Sequence, residues 1–258
     1  MSLCDRILDH EWLDLGHLRP EEVRANLREL ELINRWLGGA RSVVPHVVRA
    51  MNAAPASGPS TGSGWPSPAM QGPPRAKPRG GPFRVLDIAC GGGDMLRQVV
   101  TRGRRMGRAV LGIGVDANEQ VLEYARGRSA DYPELQWAQA DALALPFASG
   151  SFDLVMCSCF LHHLEPQEAS RLLTQAAALS RGVVVVGDLV HSWIGAAAFR
   201  LFCQLARLHP VTRHDGLVSL QRSYHPHELA AVARAAGLAN WRLHRHPFCR
   251  ATLVCEVR

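Results

Sequence analysis

An α/β fold, a doubly wound and mostly parallel seven-stranded sheet with an N-terminal helical cap, is what this 258-residue sequence predicts. Three observations carry that expectation. Residues 85–94, Val-Leu-Asp-Ile-Ala-Cys-Gly-Gly-Gly-Asp, pass from an apolar strand through a glycine turn into a helix pattern, Met95-Leu96 with Val99-Val100. From Phe83 onward, short apolar strands alternate with segments of helical periodicity. The last two strands have no crossover between them and must pair antiparallel across His246-Pro247-Phe248.

Residues 1–51 read as the cap. Pro20-Glu21-Glu22 opens a helix with proline at its start and acids in the first turn. Val23, Leu27, Leu30 and Ile33-Trp36-Leu37 recur at helical spacing until Gly38-Gly39. A second helix spans 41–51, with Val43, Val44, Val47 and Val48 on its apolar face. These helices either cover a substrate pocket or pack against the sheet. Residues 52–82 hold 8 prolines, 6 glycines and 4 serines in 31 positions, a composition that buries no core and reads as a flexible linker. Residues 83–258 form the sheet domain. Strands are expected at 83–88, 109–115, 134–139, 152–157, 182–187, 240–246 and 251–257. Helices are expected at 94–102, 118–128, 165–179 and 227–236, with an extra one over about 193–208.

Apolar content of 47% and charged content of 20% describe an ordinary globular protein. No apolar run reaches the roughly eighteen residues of a membrane span. Met-Ser-Leu-Cys-Asp-Arg lacks the order of a signal peptide, so a cytoplasmic location is expected. None of the seven cysteines forms Cys-x-x-Cys. Cys157 and Cys159 stand two apart on an expected strand, poor geometry for a metal cage, and no metal site is read. The net charge of +6 invites a nucleic-acid reading. The basic residues are scattered, however, except for 102–108, which suits a helix end where cations favour the dipole.

The chemistry sits in the glycine turn. Its bare backbone admits a ligand closely at Gly91 and Gly93. Asp87, an acid inside the strand, repels a pyrophosphate but suits a ligand with positive charge and hydroxyls. S-adenosylmethionine has an ammonium, a sulfonium and a ribose, and no phosphate. A dinucleotide site would need a small residue where Leu96 stands. Asp116 closes the second strand, where a carboxylate accepts both ribose hydroxyls. Ala117 beside it is small enough for an adenine ring to lie flat.

Asp87-Ile-Ala-Cys-Gly-Gly-Gly93 resembles the first motif of the class I S-adenosylmethionine-dependent methyltransferases, with Ala89 in place of the first glycine. The resemblance covers about 83–190, with a weaker tail. It implies a Rossmann-like sheet with one antiparallel strand near its edge. It also implies that S-adenosylmethionine is bound along Asp87, Ala89, Gly91 and Gly93, with the Ala89 methyl trimming the space beside the methionyl part. Gln139-Ala-Asp141-Ala142 resembles the segment that meets adenine, and Ser151 to Cys157 resembles the fourth strand, whose end, Cys157, borders the methionyl group.

On the acceptor side, His162 and His163 in Phe160-Leu-His-His-Leu164 lie at the sheet's carboxyl edge, and either could take a proton or cap the next helix. His214 beside Asp215 is a third candidate base or a structural turn. Asp188, ending the fifth strand, reaches acceptor or cofactor or orients Arg213. Cys157-Ser-Cys-Phe160 stands where enzymes acting on base amino groups carry Asn/Asp-Pro-Pro-Tyr/Phe. The 161–238 segment resembles small-molecule enzymes of the quinone- and polyketide-modifying kind. The resemblance therefore implies methyl transfer to O or C of a small aromatic, quinone or polyketide-like metabolite. An RNA or protein methyltransferase and a non-catalytic cofactor binder are the alternatives. The oligomeric state is not legible.

Overall fold

The computed structural model describes residues 9–54 and 81–257, so the expected 52–82 linker lies almost wholly outside the described residues. Helices α1 (Pro20–Trp36) and α2 (Gly39–Ala53) precede strand β1 (Phe83–Ile88). There follow α3 (Asp94–Arg105), β2 (Val110–Asp116), α4 (Glu119–Arg128), β3 (Leu135–Gln139), β4 (Phe152–Ser158), α5 (Pro166–Leu179) and β5 (Ser180–Leu189). Helices α6 (Trp193–Leu205), α7 (Pro210–Arg222) and α8 (Pro226–Ala235) lead to β6 (Asn240–His246) and β7 (Arg250–Glu256).

The seven strands form one sheet in the order β3-β2-β1-β4-β5-β7-β6. The first five are parallel, and β7 runs antiparallel to both β5 and β6. The order reverses between β1 and β4, so the carboxyl ends of these strands diverge and leave a crevice there. In β1, Val85 and Met95, Leu96 and Val99 of α3 share one apolar cluster, while Leu86 and Ile88 face the other. A strand buried on both faces explains why 85–88 is nearly all apolar.

Helices α2 and α3 cover one face of the sheet, and α5 and α8 cover the other. The approach of α2 depends on a missing side chain. A Cβ at Gly187 of β5 would run into Val43. The two N-terminal helices therefore part ways: α2 is a layer of the sheet, whereas α1 packs on α2, α4 and α7.

Three local expectations are corrected. Residues 210–222, where no helix was expected, form α7. Its buried side includes Thr212, Asp215, Ser219 and Arg222 beside Val211, Val218 and Leu220. A buried face this polar leaves no apolar stripe to read. Strand β5 begins at Ser180 rather than 182, because Ser180 pairs with Phe152 before the register shifts. Cys157 and Cys159 do not share a face. Cys157 is buried in the core, while Cys159 stands past the strand at φ 55.

Candidate active site

The carboxyl ends of β1, β2, β4 and β5 border one cavity of about 1190 Å³. Its polar end is the glycine turn. Gly91 has φ 52, and a Cβ added there meets nothing within 4 Å, so the backbone is bare toward open space. The turn is held from behind. Gly91 N donates to Asp116 Oδ2 at 3.1 Å, and Cys90 N donates to Val115 O at 2.9 Å. Asn118 N donates to the other Asp116 oxygen at 3.0 Å, and each carboxylate oxygen keeps accepting capacity for a ligand.

Asp87, Ala89, Gly91, Asp116, Ala117, Asp141 and Ala142 all line this cavity, as the sequence reading expected. Gly93 and Cys157 do not. Gly93, at φ 75, caps α3, and a Cβ there would collide with Trp137. Its glycine serves packing. The Cys157 side chain points into the core.

The sequence reading also missed Asp94, the first residue of α3, which lines the same end. Burial pushes its carboxyl up to about 6; Arg97 and the Asn34 amide pull the other way, and Glu31 adds to the rise. Burial, then the charges of Asp94 and Asp116, hold the Asp87 carboxyl well above the usual range. Burial also raises Asp116, against the backbone donors Asn118 and Gly91. Among the described residues no Arg or Lys forms an ion pair with any of these three acids. A site that gathers carboxylates without their own cations suits a cationic ligand.

His162 and His163 of a 3₁₀ turn, Leu161–His163, also line the cavity. His162 is buried, its Nδ1 lies 2.6 Å from Asp188 Oδ1, and its backbone N donates to Asp188 Oδ2 at 2.9 Å. Asp188 therefore holds His162 rather than Arg213. Glu11 Oε1 stands 3.5 Å from His162 Nε2. Burial alone disfavours the imidazolium, but Asp188 and Glu11 more than offset it and hold His162 at about 10. Glu11 responds in kind. Burial opposes its charge, yet His162, His163 and the Ser219 hydroxyl bring it down to about 2. His162 is thus a buried cation at neutral pH. Both of its ring nitrogens face carboxylates, Nδ1 toward Asp188 and Nε2 toward Glu11.

His163 differs. Its Nδ1 lies 2.8 Å from Asp14 Oδ2, its ring stacks on Phe160, and its Nε2 is 3.5 Å from Glu11 Oε1. It lines the cavity. His214 does not: it stacks on Trp12 and pairs with Asp215. Glu11, His162 and His163 each bring a possible ligand atom within 4.8 Å of the others. A proton on His162 would offset one of the two carboxylate charges it faces, Asp188 and Glu11, and would compete with a metal ion. Glu11 and Asp14 escaped the sequence reading because nothing near them in sequence points to a site. They arrive from an irregular segment docked on α7, about 200 positions away.

The same cavity is lined by the apolar side chains Leu13, Phe160, Phe199, Phe202 and Phe248.

Comparison with known proteins accords with this layout. A methyltransferase-domain family profile matches residues 85–182. The chain is 31% identical over 187 residues to the 2-phytyl-1,4-naphtoquinone methyltransferase of Thermosynechococcus vestitus, a match covering 67% of this chain and 79% of that one. The chain belongs to the class I S-adenosylmethionine-dependent methyltransferases. The methyltransferase is also 31% identical over 163 residues to the ubiquinone biosynthesis O-methyltransferase of Aromatoleum aromaticum, covering 60% of this chain and 63% of that one. Its fold matches the crystal structure of a SAM-dependent methyltransferase from Aquifex aeolicus with TM-score 0.59 at 12% identity, over 93% of this chain and all of that one. Its cofactor is S-adenosylmethionine, and the unpaired acids beside an open glycine turn fit that cationic, hydroxyl-bearing molecule.

Proposed function

We propose that this methyltransferase transfers the methyl group to an oxygen or carbon of a small, apolar aromatic, quinone or polyketide-like acceptor. The observation that carries the reading is one cavity lined both by the acids of the glycine turn and by the apolar side chains Leu13, Phe160, Phe199, Phe202 and Phe248. The activities of the two quinone-directed relatives support the same acceptor class.

Bound S-adenosylmethionine supplies the reactive electrophile, a methyl carbon on a sulfonium. In this reading Asp116 accepts from the ribose hydroxyls, and Asp87 and Asp94 face the cationic methionyl end. Ala117, Asp141 and Ala142 receive the adenine, and Ala89 narrows the floor. The apolar wall aligns the acceptor and excludes water, an effect of up to about 7–11 kcal/mol for well-placed reactants. His163 is the proton acceptor. Asp14 fixes its ring through Nδ1, and Nε2, 3.5 Å from Glu11 Oε1, is the atom that would take the acceptor's proton, a contribution on the order of 10²–10⁴-fold. The catalytic unit is residues 83–258 with α2 as an added layer, and segment 9–18 with α1 forms the cover.

Purified protein incubated with methyl-labelled S-adenosylmethionine and extract of the source cells tests the acceptor class. Label in the organic-soluble fraction is expected. Label in nuclease- or protease-sensitive material would replace this reading with an RNA or protein methyltransferase, and no label with a non-catalytic binder. His163→Ala is expected to lower kcat about 10²-fold or more with cofactor affinity unchanged. Full turnover in that variant would remove His163 from the mechanism.

A further inference from the structure

Helix α6 is apolar almost all round, WIGAAAFRLFCQL, a pattern that belongs to a covered helix. Only one side of it is covered. Cys203 is buried, and Phe199 and Phe202 line the cavity. On the opposite side Trp193 is 77% exposed, Leu205 76%, Ile194 61% and Leu201 57%. The patch continues onto the β6–β7 turn. Gly195 of α6 faces Cys249, and Gly38 beyond α1 faces Phe248, itself 57% exposed. Trp36, at the end of α1, adds a second exposed indole. Ile194 and Phe248 belong both to this surface and to the cavity wall, so the cavity opens through the patch.

The charge around the patch is mostly basic, with Glu29 of α1 the acid that reaches this end, where it accepts from His209 N at 3.0 Å. Residues 32–54, 189–214 and 229–255, which supply α6, the end of α1 and the β6–β7 turn, contain no Asp or Glu. Arg41, Arg200, Arg207 and Arg245 are exposed there and form no ion pair among the described residues. Exposed tryptophans and aliphatics ringed by arginine suit the boundary between acyl chains and anionic headgroups. A bilayer of anionic lipid offers acyl chains and headgroup charge side by side, which matches an apolar face bordered by arginine.

We propose that the exposed face of α6, with Trp36 and the β6–β7 turn, docks on an anionic lipid surface and turns the cavity mouth toward the bilayer. An apolar acceptor then enters from the lipid without crossing water; this second step rests on the acceptor class proposed above, whereas docking does not.

The test uses vesicles of phosphatidylglycerol mixed with phosphatidylcholine, and the full chain without cofactor or acceptor. Co-sedimentation is expected, weakening with salt and falling sharply on pure phosphatidylcholine. Trp193→Ser with Leu205→Ser should weaken binding by roughly tenfold or more. Arg200→Gln and Arg207→Gln should each cost roughly fivefold at low salt. All four side chains lie outside the cavity, so turnover of a water-soluble acceptor should be unchanged in these variants. Failure to bind the anionic vesicles, or binding indifferent to Trp193 and Leu205, overturns the proposal. So does a dimer in light scattering that Leu205→Ser dissociates, which would make the face a contact between copies, or RNA binding lost with the arginines. Vesicle binding without any organic-soluble methyl product would leave docking intact and remove the acceptor reading alone.

Discussion

At Ala89 the backbone takes φ 53, in the left-handed region where a Cβ costs on the order of 1–2 kcal/mol. The family's glycine at this place is therefore a backbone requirement, and Ala89 meets it with strain as well as with lost space. Ala89→Gly is expected to stabilise the protein by about 0.5–1 kcal/mol, the relief of strain outweighing the extra freedom of glycine in the unfolded chain. Urea unfolding measures this, and a less stable variant would show that the turn is not strained. Asp116 is the second decisive residue. It holds the turn through Gly91 N while keeping capacity for hydroxyl donors. Asp116→Ala should weaken S-adenosylmethionine binding by about 1.5–3 kcal/mol, the scale of bonds to a charged acceptor. Calorimetry reads it, and unchanged affinity would remove the ribose role.

Among the elements, the segment 9–18 depends most on charge. Its backbone amides at Trp12 and Leu13 donate to Asp215 at 2.8 and 3.2 Å, Arg222 donates to Asp9 O at 2.8 Å, and Glu11 faces His162. The two titrations bracket its hold. His162 rises from 6.5 to about 10, so its contribution is full below about pH 6.5 and lost as pH climbs through about 10. Glu11 falls from 4.5 to about 2, so its contribution is full above about pH 4.5 and lost as pH drops through about 2. Hydrogen exchange at Trp12 and Leu13, corrected for intrinsic rates, should be slowest near pH 5–6 and quicken toward pH 10. Glu11→Gln should flatten that rise. Protection constant between pH 6 and 10 would mean the ion pair does not hold the segment. Strands and amphipathic helices were legible because the sheet imposes a period of two and the core a period of 3.6. Segment 9–18 and α7 were not, because they grip each other through Asp215, Ser219 and Arg222, and polar long-range contacts leave no local period.

For the molecule as a whole, the site's legibility divides the same way. Asp87, Ala89, Gly91, Asp116 and Asp141 were readable because a strand-end acid and a glycine turn are tied to sequence order. Gly93 and Cys157 misled because a motif position does not say which way a side chain faces. Asp94 stood next to the motif, and only burial reveals what it does. Three carboxylates at one cavity end tax the ligand-free protein. Asp94 is raised from 3.8 to about 6, so its stabilising contribution is full below about pH 3.8 and lost as pH rises through about 6. The implied penalty at pH 8 is at most about 3 kcal/mol. Asp94→Asn keeps the acceptor for Asn34 and removes the charge, so it should be more stable than the parent at pH 8, with the gap narrowing toward pH 4. The same substitution removes one of the acids facing the cationic ligand. The stabilisation that S-adenosylmethionine gives should therefore be smaller in the variant, as expected where a binding site holds charge at the expense of the fold. Denaturation with and without ligand at pH 5 and pH 8 separates the two effects. A variant equally stable at both pH values relative to the parent, or one stabilised by ligand as fully as the parent, would show that Asp94 is neither strained by burial nor used in binding.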